Sequence, residues 1–194
     1  MSAYPTLRTI HLLCGAFAVP TLVVYGVSAV QMAHSKWFNM KPVVTETELS
    51  PRPGYTDGRQ LAREVMAERQ IRGDIASVQQ TEGGLQVRIT VPGTVHEIRY
   101  EGGSGKVRVR SSVVGTMGML NRLHHAAGLA YEYMPLRLWG ILCGVVSLAT
   151  MGLGVTGIWM WWLRQKERKW GVVVLSANVA FAVVVLMMMR AAGP

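Results

Sequence analysis

The chain has 194 residues, 50% of them hydrophobic and 16% charged, with a net charge of +9. A basic excess can mark a nucleic-acid surface, but Met40–Gly115 is nearly balanced in charge and the surplus sits at the borders of apolar runs, so nucleic acid is excluded as a partner. Both cysteines, Cys14 and Cys143, fall inside apolar runs, and no disulfide framework, CxxC or zinc spacing is present.

The first uncharged run is Thr9–Ala33. With about 1.5 Å of rise per helical residue it is long enough for the roughly 30 Å hydrocarbon core of a bilayer, which predicts a transmembrane helix within residues 1–39. Val27-Ser28-Ala29 resembles a signal-cleavage site, but the apolar stretch is too long for a signal h-region and only Arg8 precedes it, so a retained anchor is expected. Pro20 should bend this helix in mid-span.

Residues 40–115 read as one small extracytoplasmic α+β domain. Pro42, Pro51, Pro53 and Gly54 make a turn-rich lead. Asp57 can cap a helix running to about Gly73, with Leu61, Ala62, Val65 and Met66 on one face. Four strands are expected next, Ile75–Gln80, Leu85–Val91, Val95–Tyr100 and Val107–Arg110, separated by turns at Glu82-Gly83-Gly84, Pro92-Gly93 and Gly102–Gly105. The last strand, with Arg108 and Arg110 outward, is the expected exposed edge for an extended partner.

Residues 116–135 predict an amphipathic helix at the outer membrane surface, Met117–Met134 ended by Pro135. Met117, Leu120, His124, Ala127, Tyr131 and Met134 share its apolar face; Asn121, His125, Gly128 and Glu132 line another.

Residues 136–194 hold two further transmembrane helices, from the uncharged runs Leu138–Leu163 and Gly171–Met189, joined by the basic loop Arg164–Lys169. Short basic loops stay in the cytoplasm, which orients the chain: amino terminus cytoplasmic, soluble domain and carboxyl terminus on the other side. Trp37, Phe38, Trp139, Trp159, Trp161, Trp162 and Trp170 fall at the expected interfaces as aromatic belts. Gly140 and Gly144 form a GxxxG step for close helix packing. Asp and Glu are absent from all three apolar runs, so no proton or cation relay of the transporter kind is expected. No GxSxG, HExxH, P-loop or dinucleotide fingerprint occurs, and no metal site is expected.

Redox chemistry rests on five histidines. A haem held by two imidazoles needs both at one depth; His34, at the outer end of the first span, and His124 meet that condition. His11 and His125 are weaker candidates: His11 lies at the opposite end with no second histidine near, and His125 falls on the polar face of its helix.

Arg8 and His11 with Gly15 in the first span, Leu123-His124 before the second, and Thr156-Gly157-Ile158-Trp159-Met160-Trp161-Trp162 closing it resemble the PepSY-associated transmembrane family. The order of parts is similar too: span, helix-plus-sheet domain, amphipathic helix, two spans. The three uncharged runs make a polytopic protein with three transmembrane helices, and the resemblance implies a bacterial inner-membrane protein with a PepSY-like periplasmic domain. Some larger relatives are haem-containing membrane reductases of siderophore iron release, and isolated PepSY domains are linked to peptidase inhibition. The expected function is a non-catalytic accessory or regulatory role, with the lipid bilayer and a membrane or periplasmic protein as partners. The alternative is a b-type haem electron-transfer protein or reductase component in iron or siderophore metabolism.

Overall fold

The computed structural model describes residues 4–51, 54–126, 128–164, 166 and 168–191. Pro53 and Ala127, named above, lie outside the described residues, as do two positions of the basic loop. In chain order the elements are α1 (Tyr4–Ala33), a 3-10 turn at Ser35–Trp37, β1 (Val43–Leu49), α2 (Gly58–Arg69), β2 (Asp74–Thr81), β3 (Gly84–Val91), β4 (Thr94–Glu101), β5 (Val107–Val113), α3 (Thr116–His125), α4 (Met134–Leu163) and α5 (Arg168–Ala191). Three of them, α1, α4 and α5, are long and apolar enough to cross a membrane. Two compact units divide the chain: Met1–Val19 with Val146–Pro194, and Pro20–Val145.

The second unit contains the α+β domain. Its antiparallel sheet has the order β1-β5-β4-β3-β2. The meander β2 to β5 follows the expected turns, but the sheet has five strands rather than four. The segment assigned to the lead-in contains β1, which pairs along β5 from Val43 opposite Val113 to Leu49 opposite Val107. Only Leu49 of that strand is buried, so it carries little hydrophobic signal. Its arrival also corrects the expected edge: Val107–Arg110 is interior, and the free edges are β1 and β2.

Asp57 caps α2, its carboxylate accepting the Arg59 N–H at 2.8 Å. The helix ends at Gln70 in the left-handed conformation (φ 53°), short of the expected Gly73. Leu61, Ala62 and Val65 are fully buried against Val87, Ile89, Ile98 and Val107, and Tyr100 and Leu49 close the cluster. Gly58 lets the helix start lie on β2, since a Cβ there would run into the Val78 side chain. Each large aliphatic side chain so buried contributes about 1.5–3 kcal/mol.

Helix α3 covers Thr116–His125, shorter than the amphipathic stretch expected to reach Met134. The chain then turns, and α4 begins at Met134 with Pro135 in its first turn, where its missing N–H costs nothing. The Asp74 carboxylate at the start of β2 accepts the N–H groups of Glu132 (2.6 Å) and Tyr133 (3.2 Å), and so fixes the entry to α4.

In α1 the least exposed positions recur every three or four residues, at His11, Cys14, Ala18, Thr21, Tyr25, Ser28 and Gln31. Leu12, Leu13, Phe17, Val23 and Val30 are exposed. The helix continues through Pro20. Helix α5 buries no residue among those described.

Candidate functional site

A polar side chain on a bilayer-length helix has no water to bind, so its partner within the protein shows what it is for. In the Pro20–Val145 unit the inward stripe of α1 meets α3. Ser28 Oγ donates to the Tyr25 carbonyl at 2.8 Å and lies 2.7 Å from Nδ1 of His124. With the hydroxyl proton on that carbonyl, the Ser28 oxygen is placed to accept from Nδ1–H of His124. The Tyr25 ring packs on His124 with centroids 4.7 Å apart and stacks parallel to Trp139 at 6.3 Å; its hydroxyl lies 3.1 Å from the Cys143 sulfur. Gln31 is fully buried and donates Nε2 to the Met117 carbonyl at 2.6 Å, tying the end of α1 to the start of α3.

These contacts revise the environment expected for His124, which sits in a hydrogen-bonded aromatic cluster rather than on an apolar face. His125 meets it edge to face at 5.6 Å and is exposed. His34 stacks on Trp37 at 4.0 Å, the 3-10 turn folding the indole back onto it. Among the described residues no contact joins His34 to His124, and no group of three or more His, Cys, Asp or Glu side chains gathers to hold a metal ion. Neither cysteine is in a disulfide.

In the other unit His11, expected to stand alone, has a partner. Its Nδ1 lies 2.8 Å from Thr156 Oγ1, which itself donates to the Gly152 carbonyl at 2.7 Å. Gly157 lies beside the ring, where a Cβ would stand in ordinary contact, 3.5 Å from His11 Cε1. Thr156 thus positions an imidazole. On α5, Asn178 makes no hydrogen bond among the described residues and borders a cavity of about 370 Å³ with Trp161, Gly171 and Leu175.

The GxxxG expectation also changes. Gly140 is small for the sake of the Gly128 backbone, in the connection from α3 to α4, where a Cβ would overlap the Gly128 carbonyl. It receives a turn, not a helix. Gly144 has nothing within 4 Å of where its Cβ would stand.

On the sheet, His96 Nδ1 lies 2.8 Å from Ser111 Oγ, and burial holds its imidazole pKa below the ordinary value because the charged form is poorly solvated. The two sheet edges differ. β1 carries Glu46 and Glu48, whereas β2 is uncharged from Ile75 to Thr81, with Val78, Gln79, Gln80 and Thr81 exposed.

Sequence reasoning gave no site role to Ser28, Gln31 or Arg122, and named Thr156 only as part of a motif. Ser28 and Gln31 had a signal, polar residues three apart on an apolar helix and in line with His34, whereas Thr156 has no polar neighbour at that spacing on α4. Arg122 had none, because its surroundings are assembled from β1, β3, β4 and β5. No family model matches the chain, and no curated protein sequence does.

Proposed function

We propose that the chain is a non-catalytic accessory or regulatory protein of the bacterial inner membrane, whose periplasmic PepSY-like domain binds a protein or peptide partner and whose spans belong to a larger assembly. The observation that carries this reading is the β2 edge. Exposed sheet edges are normally blunted by charge, proline or a covering element, and β1 follows that rule with two glutamates. β2 has no charge or proline over Ile75–Thr81, which suits it to accept an extended segment as a sixth strand. The nearly unburied α5 supports the second half of the proposal, since its face is available to another membrane helix.

The test is site-specific photo-crosslinking of the full-length protein in cells, with the probe at Gln80. A partner should be captured by the parent and lost when Gln79 is replaced by Lys, while Thr45→Lys on β1 leaves capture unchanged. Equal capture in all three would remove the edge-binding reading.

One observation favours the haem alternative. His124 and His11 are each anchored through Nδ1 by a hydroxyl, which fixes the ring and leaves Nε2 as the ligating atom, the way second-shell groups orient metal-bound imidazoles. A visible spectrum of the full chain, expressed with ample haem, decides between the readings. Bands lost in His124→Ala and kept in His96→Ala would establish the redox role; a featureless spectrum would end it.

A further inference from the structure

Helix α2 covers one face of the sheet; the other is charged. On that face register sets Arg88 opposite Glu97, Glu97 opposite Arg110 and Arg110 opposite Glu46, so four ionic side chains stand in a row across β3, β4, β5 and β1. Helix α3 brings in Arg122. Arg88, Glu97, Arg110 and Arg122 border a cavity of about 200 Å³, lined also by Val44 and Ser112.

The lining is unbalanced in charge, three guanidinium groups to one carboxylate, with Glu46 beyond it opposite Arg110. Glu97 reaches Arg88 only at 3.8 Å, too long for a strong charge-assisted hydrogen bond, and Arg110 makes no ion pair among the described residues. Arg122 Nη1 is buried and has no hydrogen-bond partner among them. A buried N–H of a permanent cation without an acceptor is costly, and an oxyanion is the group that removes that cost.

Arg122 also borders a second cavity of about 200 Å³, shared with Val91, Pro92, His125, Tyr131 and Leu136. That one is largely apolar and reaches the first turns of α4, where a bilayer-length helix begins. One arginine thus stands between a cationic recess and an apolar one.

We propose that Arg122, with Arg88 and Arg110, binds a phosphate-class anion, supplied by the headgroup of an anionic phospholipid whose apolar part lies over Val91, Pro92, Tyr131 and Leu136. The planar guanidinium fork fits phosphate oxygens in pairs, and the neighbouring apolar recess gives the attached chain a place to rest. Glu97 sets the selectivity: it disfavours binding of any anion that does not engage all three arginines.

The experiment uses the full-length protein in neutral detergent, titrated separately with phosphatidylglycerol, phosphatidylcholine and inorganic phosphate, with bound lipid counted by native mass spectrometry and binding followed by thermal shift. Phosphatidylglycerol should bind in preference to phosphatidylcholine. Arg122→Gln should weaken it by at least about tenfold, the loss expected for one charged hydrogen bond. Arg122→Lys should retain part of the affinity, and Arg99→Gln, outside the cavity, all of it. Glu97→Gln should tighten binding; this keeps the proposal falsifiable if Arg122→Gln fails to fold, because a merely structural Arg88–Glu97 pair would lose stability and gain no affinity. A stabilisation that inorganic phosphate reproduces in full assigns the site to the free anion, and one that needs the acyl chains assigns it to lipid. Equal binding of the two phospholipids with no effect of phosphate, or unchanged affinity in Arg122→Gln, would overturn the site.

Discussion

The α2–sheet core and the inward stripe of α1 are both buried, yet they are built from opposite materials. Leu61, Val65, Val87 and Ile98 make the first; Thr21, Tyr25, Ser28 and Gln31 make much of the second, and the side chains that α1 exposes are the aliphatic ones. Solvent explains the inversion. In water, apolar side chains gain about 25 cal/mol per Å² by leaving the surface, so they fill the interior. In hydrocarbon they gain nothing by packing together, and polar groups that can satisfy one another become the reason for two helices to meet. The two regions therefore fail in different ways when altered.

The largest effect is expected in the apolar core. Leu61→Ala should destabilise the α+β domain by about 2–5 kcal/mol, through lost burial and the cavity left between α2 and the sheet. Hydrogen exchange of β3 and β4 amides in the full chain measures it, and protection unchanged from the parent would mean that α2 does not hold the sheet.

The next prediction separates packing inside the chain from packing outside it. Gly140→Leu should cost about 1–3 kcal/mol, because the new side chain is forced into the Gly128 backbone. Gly144→Leu should leave the thermal midpoint in detergent unchanged, its Cβ position being open. If Gly144→Leu lowers recovery of a membrane partner without altering that midpoint, the open face is an assembly contact.

The polar stripe gives a smaller and sharper result. Ser28→Ala leaves Nδ1 of His124 without its partner and should destabilise by about 1 kcal/mol, while Val27→Ala on the exposed side should be near neutral. Thermal unfolding of both variants in one detergent is the comparison. Equal midpoints would show that the hydrogen bond is not what holds α1 to α3.

The smallest effect is a pH slope. Burial disfavours the His96 imidazolium, so the unfolded chain takes up that proton more readily than the folded domain. Its contribution is fully present above about pH 6.5 and is lost as the pH falls below that value. His96→Gln should flatten the acid side of the stability profile, measured by denaturant midpoints between pH 5 and pH 7. An unchanged slope would place the acid sensitivity elsewhere.

Much of the fold is legible in the chain because it rests on local periodicity. The uncharged runs match α1, α4 and α5, Asp57 marks the start of α2, and alternation marks β2 to β5. β1 escaped because an edge strand with one buried residue carries almost no alternating apolar pattern, and its partner β5 lies some sixty residues downstream. That single pairing moved one edge from β5 to β1 and left β2 as the uncharged edge. The candidate sites were less legible still. His11 and His124 were identifiable as residue types, but the hydroxyls that fix them, Thr156 and Ser28, belong to other helices.

What the sequence determined by itself was therefore the set of elements and their preferred solvents: three bilayer-length helices, and one helix and several strands with a single apolar face each. Length, periodicity and charge placement are properties of neighbouring residues, and they survive without knowledge of any distant contact. Only the tertiary structure decided which edge is open, that Gly140 receives a turn rather than a helix, that Asp74 fixes the entry to α4, and that Arg122 stands between two cavities with its Nη1 lacking a partner among the described residues. Each of these depends on side chains far apart in the chain meeting within a few ångströms, and nothing in local pattern encodes such a meeting.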